Sequence, residues 1–427
     1  MLDQKIRINL YWVALLIPLL HAFANVLIEH IDDMGAIRAL IVLIFLVYFV
    51  ATRYEWNVPN CVIAIYLGYY GLLIIMQSSS PLGVMESYLR TIIWALMFPI
   101  GYYYVRNFKA LRDVNSVYIL ALCVFLADLI LANLLGYGAV NYAEDSVSYG
   151  GAGIAVTKTM GLILLMAPVI LRVPPTFMPI GLFGILTSLS LIFVLLGLKR
   201  SALGALVLGG MVYLILAPER RYALLMIGAL ALVLMATFPV YQDTLMERLD
   251  ARSSAMDEIT GGNLQEEGRF NRDVLPAINL WLEGSMRHKL FGTEIFNPEA
   301  VPGGRNMHVD YARNLLGTGL VGLFLFFLVY AAIAFELERH YSAVRDQAIA
   351  REIRAVFWAL MIAIMVLSYA GTMWSILLRG LLFFYWGAMV GVLRHMALER
   401  LSDAKKLNGI ETCPRESRHA REMATAK

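Results

Sequence analysis

A chain of 427 residues in which 59% are hydrophobic and only 16% charged has too little polar surface for a soluble domain, and its mean hydropathy of +0.67 points to the bilayer as its solvent. The formal net charge of +3 argues against a nucleic-acid binder. Cys61 and Cys123 lie in apolar runs and Cys413 in a polar tail, so neither a disulfide framework nor a zinc spacing is present.

Apolar runs fall at 8–29, 36–52, 60–76, 91–105, 117–135, 157–171, 178–198, 201–217, 222–241, 315–335, 355–372 and 376–393, most near the length of about 20 residues that a spanning helix needs. The first follows Lys5 and Arg7 but exceeds a signal h-region and lacks a small-residue cleavage site, so it is read as a retained helix. The expected fold is an all-α integral membrane protein of about 12 transmembrane helices. Roughly nine of these fall within 1–241 and about three within 315–393. A large loop occupies 242–314, and the polar tail is 394–427.

Lysine and arginine set the orientation. The even-numbered connections hold Arg53, then Arg106, Lys109 and Arg112, then Arg172, then Arg220 and Arg221, then Arg339, Arg345, Arg351 and Arg354, and the tail holds Arg394, Arg400, Lys405 and Lys406. Opposite connections carry Glu29, Asp32, Asp33, Glu144 and Asp145. The positive-inside rule then places both termini in the cytoplasm of a bacterial inner membrane and the 242–314 loop in the periplasm. The tyrosines at 102, 103 and 104 are assigned to an interfacial aromatic belt.

Two groups of cations defy that rule. Lys199 and Arg200 fall in an external turn, and the large loop carries Arg248, Arg252, Arg269, Arg272, Arg287, Lys289, Arg305 and Arg313. Within the loop, Phe270, Val274, Ile278 and Trp281 recur at helical spacing, which gives one face to pack on the bundle or the lipid interface. Arg269 opens this helix after Gly268, and His308 precedes the next helix start, where free backbone N–H groups gather.

The order Gly268-Arg269, Trp281, Leu290-Phe291-Gly292-Thr293-Glu294, His308, Tyr311 and Gly317-Thr318-Gly319-Leu320-Val321-Gly322 resembles the long-loop signature of the O-antigen ligase and polymerase superfamily. Lys199-Arg200-Ser201-Ala202-Leu203 to Gly209-Gly210 is similar to that family's upstream arginine motif. Val309 and Gly317 depart from the family, which often has Asn after the histidine and an acidic residue before the Thr-Gly pair. The resemblance implies a GT-C-like glycosyltransferase. It would take glycan from an undecaprenyl-diphosphate donor to a glycan or lipid A-core acceptor, without a cofactor or metal. Membrane lipids, a chain-length regulator and a flippase are the further partners it implies.

The residues suit that chemistry. Arginine forks neutralise diphosphate oxygens better than lysine point charges, so Arg200, Arg269 and Arg305 form the expected clamp, with Lys199 and Arg272 beside them. An acceptor hydroxyl needs a general base, and His308 has the right unperturbed pKa. Asp310, Tyr311 and Arg379 are the remaining expected substrate contacts, Arg379 because a charge within an apolar run tends to face a cavity or a partner. Each has a plainer reading. His308 is then an interfacial cap, Arg200 a snorkelling arginine, Arg269 and Arg305 loop charges, and Tyr311 and Trp281 packing residues. A repeat-unit polymerase is preferred over a ligase, with a transporter as the rival class. A metal-dependent transferase is disfavoured because the loop has no Asp-X-Asp pattern; among its carboxylates Glu266, Glu267 and Asp310 are the only tempting ones.

Overall fold

The structure is a computed structural model that describes residues 34–77, 81–135, 180–196, 200–218, 274–293, 309–370 and 376–407, with Trp12 and scattered positions between 224 and 246. Among the described residues every regular element is helical. In chain order these are α1 (Met34–Arg53), α2 (Val58–Gln77), α3 (Pro81–Tyr104), α4 (Phe108–Leu135), α5 (Ile180–Leu196), α6 (Arg200–Leu216), α7 (Leu275–Glu283), α8 (Met286–Phe291), α9 (Asp310–Val344), α10 (Ala348–Ala370) and α11 (Ile376–Leu407). Among the described residues, four stretches are long and apolar enough to cross a membrane: Val58–Met76, Phe108–Leu131, Asp310–Val344 and Arg379–Ala404.

Short polar capping residues start several of these helices. The Asn57 side chain accepts from the Asn60 amide at 2.9 Å, ahead of α2, and Asn107 accepts from Ala110 at 2.8 Å, ahead of α4. Both satisfy an amide that the first turn leaves without a carbonyl. Pro59 adds a fixed φ to the first turn of α2. Pro81 does the same for α3, so this helix begins well before the apolar run at 91–105.

α3 and α11 make the most extensive helix contact, and α6 with α10 the next. Glycine permits the first. A Cβ on Gly101 would run into the Phe384 carbonyl, and one on Gly387 into the Phe98 carbonyl. A Cβ on Gly391 would meet the Val105 carbonyl at 2.5 Å. Lipid tails supply no hydrophobic drive between helices, so association rests on such close backbone approach. Gly209 gives α6 the same access to Ala359 of α10.

Among the described residues, a set of paired cations gathers at one end of this bundle. Glu55, between α1 and α2, binds Arg106 at 3.1 Å and Arg394 of α11 at 2.5 Å. The guanidinium of Arg394 lies 5.0 Å above the Tyr102 ring, and the Tyr102 hydroxyl donates to Glu336 at 3.3 Å. Tyr102 is therefore a core residue and not part of an aromatic belt, because a carboxylate and a guanidinium satisfy it inside. Nearby, the Tyr54 hydroxyl donates to the Asn60 carbonyl at 2.6 Å; burial, reinforced by Cys61, pushes its pKa above the usual value. Further along the same end, Arg400 pairs with Asp346 in the turn between α9 and α10. The backbone amide of Asp346 itself, and Arg400 after it, hold that carboxyl below its usual range.

Candidate functional site

The opposite end is organised by a break in α9. Gly319 has φ 67° and ψ −170°, far from helical values. Tyr311 and Phe326 would stand about 22 Å apart along a straight helix, yet their ring centroids are 6.2 Å apart and Tyr311 stacks on Phe327 at 5.4 Å. The segment Asp310–Thr318 is therefore a half-helix folded back along Leu320–Val344. The second segment alone, about 37 Å long, has the length of a crossing.

Glycine is required at the break. A positive φ is cheap only without a side chain, and a Cβ on Gly319 would strike the Leu290 backbone. Gly292, which ends α8 with φ 79°, packs reciprocally against Gly317. The break deprives carbonyls of their helical donors, and both that matter here find new ones. The Thr293 amide donates to Leu316 at 2.9 Å, and the Tyr69 hydroxyl to Thr318 at 2.7 Å. The described part of the first glycine-bearing stretch singled out in the sequence, 290–293, thus meets the second, 317–322, directly. α7 completes the layer: Ala277, with Val274, Leu280 and Trp281, packs on Val309, Ala312 and Leu316.

One face of the half-helix is polar and buried. Asp310, Asn314 and Thr318 recur at four-residue spacing, each at most 2% exposed. Asn314 donates to the Asp310 carbonyl at 2.9 Å and accepts from the Tyr70 hydroxyl of α2, while Thr318 donates to the Asn314 carbonyl at 2.7 Å. At its start, Asp310 binds Nη2 of Arg379 at 2.5 Å. Arg379, from the first turn of α11, is wholly buried, with its guanidinium 5.0 Å from the Trp94 ring centroid and 5.3 Å from that of Phe326. Cation–π attraction of a desolvated guanidinium is worth about 2 kcal/mol. Even so, among the described residues Nε and Nη1 of Arg379 have no acceptor, and the Tyr330 hydroxyl has no partner.

Of the residues expected to act on substrate, Asp310, Tyr311 and Arg379 come together. α9 begins at Asp310, inside the stretch assigned to the loop, so Asp310 and Tyr311 are helical. The Tyr311 hydroxyl donates to the Met365 carbonyl of α10 at 2.6 Å, which makes it a brace between helices. Trp281 likewise donates to the Lys289 carbonyl at 2.9 Å. Arg200 is the first residue of α6; its side chain, and the whole of Lys199, Arg269, Arg272, Arg305 and His308, lie outside the described residues. The sequence reading missed Asn314, Thr318, Tyr70 and Trp94. The four-residue polar spacing from Asp310 was the available signal for the first two, whereas the aromatic residues carry none.

No family model matches the chain, and a comparison with curated proteins finds no match.

Proposed function

We propose that the chain is an inverting, metal-independent membrane glycosyltransferase that joins undecaprenyl-diphosphate-linked oligosaccharides at the external face of a bacterial inner membrane, with polymerisation of O-antigen or exopolysaccharide repeat units as its reaction. The observation that carries this reading is the contact of residues 290–293 with the 316–319 turn, which joins two parts of the family-like signature at one end of the half-helix whose other end holds a buried ion pair. The full arrangement of about 12 crossings, with both termini cytoplasmic and a periplasmic loop at 242–314, belongs to the same proposal. It draws support from the clustering of Glu55, Arg106, Arg394, Asp346 and Arg400 at the end away from α7 and α8.

In this reading the acceptor hydroxyl oxygen bonds to the anomeric carbon as the bond from that carbon to the diphosphate breaks. The electron pair leaves with the diphosphate, and the hydroxyl proton goes to His308. Arg200, Arg269 and Arg305, with Lys199 and Arg272, neutralise the departing charge, a contribution worth at least as much as the base. Purified protein given lipid-linked repeat units tests it. Longer lipid-linked chains support a polymerase, and transfer to a lipid A-core acceptor supports the ligase alternative. No glycan product on either acceptor rejects the transferase.

One observation favours a carrier instead. Discontinuous helices whose N-terminal ends lie inside the membrane are a device of transporters, and the half-helix starting at Asp310 is one. If Arg379→Ala abolished passage of lipid-linked glycan across a vesicle bilayer while His308→Ala left glycan processing intact, the carrier reading would replace the transferase.

A further inference from the structure

Arg379 is placed where a cation is expensive. Desolvation of an ionised group costs several kcal/mol even after relaxation, and Arg379 has only one ion-pair contact, through Nη2 to Asp310. The faces of its guanidinium serve Trp94 and Phe326, which leaves the hydrogen-bonding rim, where Nε and Nη1 lack acceptors. Buried N–H groups that lack acceptors are destabilising, more so when charged. Three further features around that rim have the same polarity. The N-terminus of the half-helix, with its amides and the positive end of its dipole, is brought to Arg379 by Asp310. Arg313, half-buried, is close enough to interact electrostatically with both Asp310 and Arg379. The hydroxyl of Tyr330, with no partner among the described residues, belongs to a ring packed on Phe326. The rim of the Arg379 guanidinium and the helix start together therefore offer more donors than the contact with Asp310 takes up.

We propose that Arg379 and the N-terminus of the folded-back half-helix form an oxyanion-binding site for a phosphate group, about 10 Å below the break at Gly319 on the inner side of the helix layer. The ligand chemistry is a phosphate ester or diphosphate that accepts from the guanidinium rim and the first-turn amides. Two sources carry that chemistry, a phospholipid headgroup held from the bilayer and a soluble diphosphate. The inference does not depend on glycosyl transfer: it holds for a transferase and for a carrier alike.

The test uses the full chain in detergent and the double variant Asp310→Asn with Arg379→Gln. The double variant removes both charges of the pair together. Inorganic diphosphate is titrated against the thermal midpoint, and native mass spectrometry compares retention of phosphatidylglycerol with that of a diacylglycerol of the same chains. A wild-type preference for phosphatidylglycerol that falls at least tenfold in the double variant assigns the site to a lipid phosphate. A diphosphate-dependent rise in midpoint that the variant loses assigns it to the soluble anion. A folded variant that binds both probes as the wild type does, or a wild type that binds neither, overturns the site. A measurement on wild-type protein removes any dependence on the variant's folding. Modification of Arg379 by methylglyoxal, read by peptide mass spectrometry, should slow at least severalfold with diphosphate or phosphatidylglycerol relative to chloride at equal ionic strength. Unchanged modification, or complete inertness of Arg379 in every condition, overturns it equally.

Discussion

The backbone amide of Thr293 donates to the carbonyl of Leu316 at 2.9 Å, across a gap of 23 residues. That carbonyl is available because α9 breaks at Gly319, so the helix break and the docking of α8 are one event. Gly319→Ala should lower stability by at least about 2 kcal/mol, since it combines a left-handed φ with a collision against Leu290. Gly68→Ala, at a helical position with nothing within 4 Å of an added Cβ, should shift stability by less than about 1 kcal/mol and in the stabilising direction. Thermal unfolding of the purified variants in detergent checks both.

The buried pair predicts a non-additive cycle. Arg379→Ala alone leaves Asp310 without its cation and should cost about 3–5 kcal/mol, whereas Asp310→Asn with Arg379→Gln should lie within about 1 kcal/mol of the wild type. Denaturation in mixed micelles measures the coupling. Additive losses would mean that the two side chains do not share an ion pair.

For the proposed transferase, His308→Ala should slow chain extension by about 100- to 10,000-fold, the usual worth of a positioned base. Arg200→Lys and Arg269→Lys keep the charge and lose the fork, so each should reduce turnover at least about tenfold if the diphosphate is gripped bidentately. Activity on lipid-linked repeat units should survive a chelator. Loss of activity in chelator with recovery on adding magnesium would transfer the chemistry to a metal.

Asp346 supplies a pH test remote from the site. Its carboxyl is held below the usual range by its backbone amide and by Arg400, so the folded state binds the proton less readily than the unfolded chain. That contribution is complete above the unfolded carboxylate value of about 3.9 and is lost as pH falls through the lower folded value. The wild type should therefore be more stable than Asp346→Asn at pH 7, and the difference should shrink below about pH 4. Thermal midpoints of the two proteins across that range check the sign.

Much of the helical frame was legible because an apolar run long enough to span a bilayer has few alternatives to a helix. The runs at 36–52 and 60–76 correspond closely to α1 and α2. Helix ends were less legible. Residues 81–90, with Glu86, Ser87 and Arg90, fall below the hydropathy of a span yet continue α3, because helix formation inside a bundle tolerates polar turns that hydropathy penalises. The fold-back of α9 was not legible at all. The run at 315–335 read as a single helix with a glycine motif, and Tyr69 and Thr293, far away in sequence, supply donors that make the break affordable. Tyr102 went the same way: an interfacial tyrosine by composition, it is drawn inside by Glu336 and Arg394. Of the site, Arg379 could be singled out as a charge within an apolar run and Asp310 as a loop carboxylate near a helix start, but their pairing joins helices that nothing in the local sequence connects.

The separation of that pair along the chain has a consequence for biogenesis. Asp310 leaves the ribosome 69 residues ahead of Arg379, so the half-helix emerges, and α10 after it, before the cation that secures it exists. Its docking must follow synthesis of α11, which makes the last described helix the latch for an element made well before it.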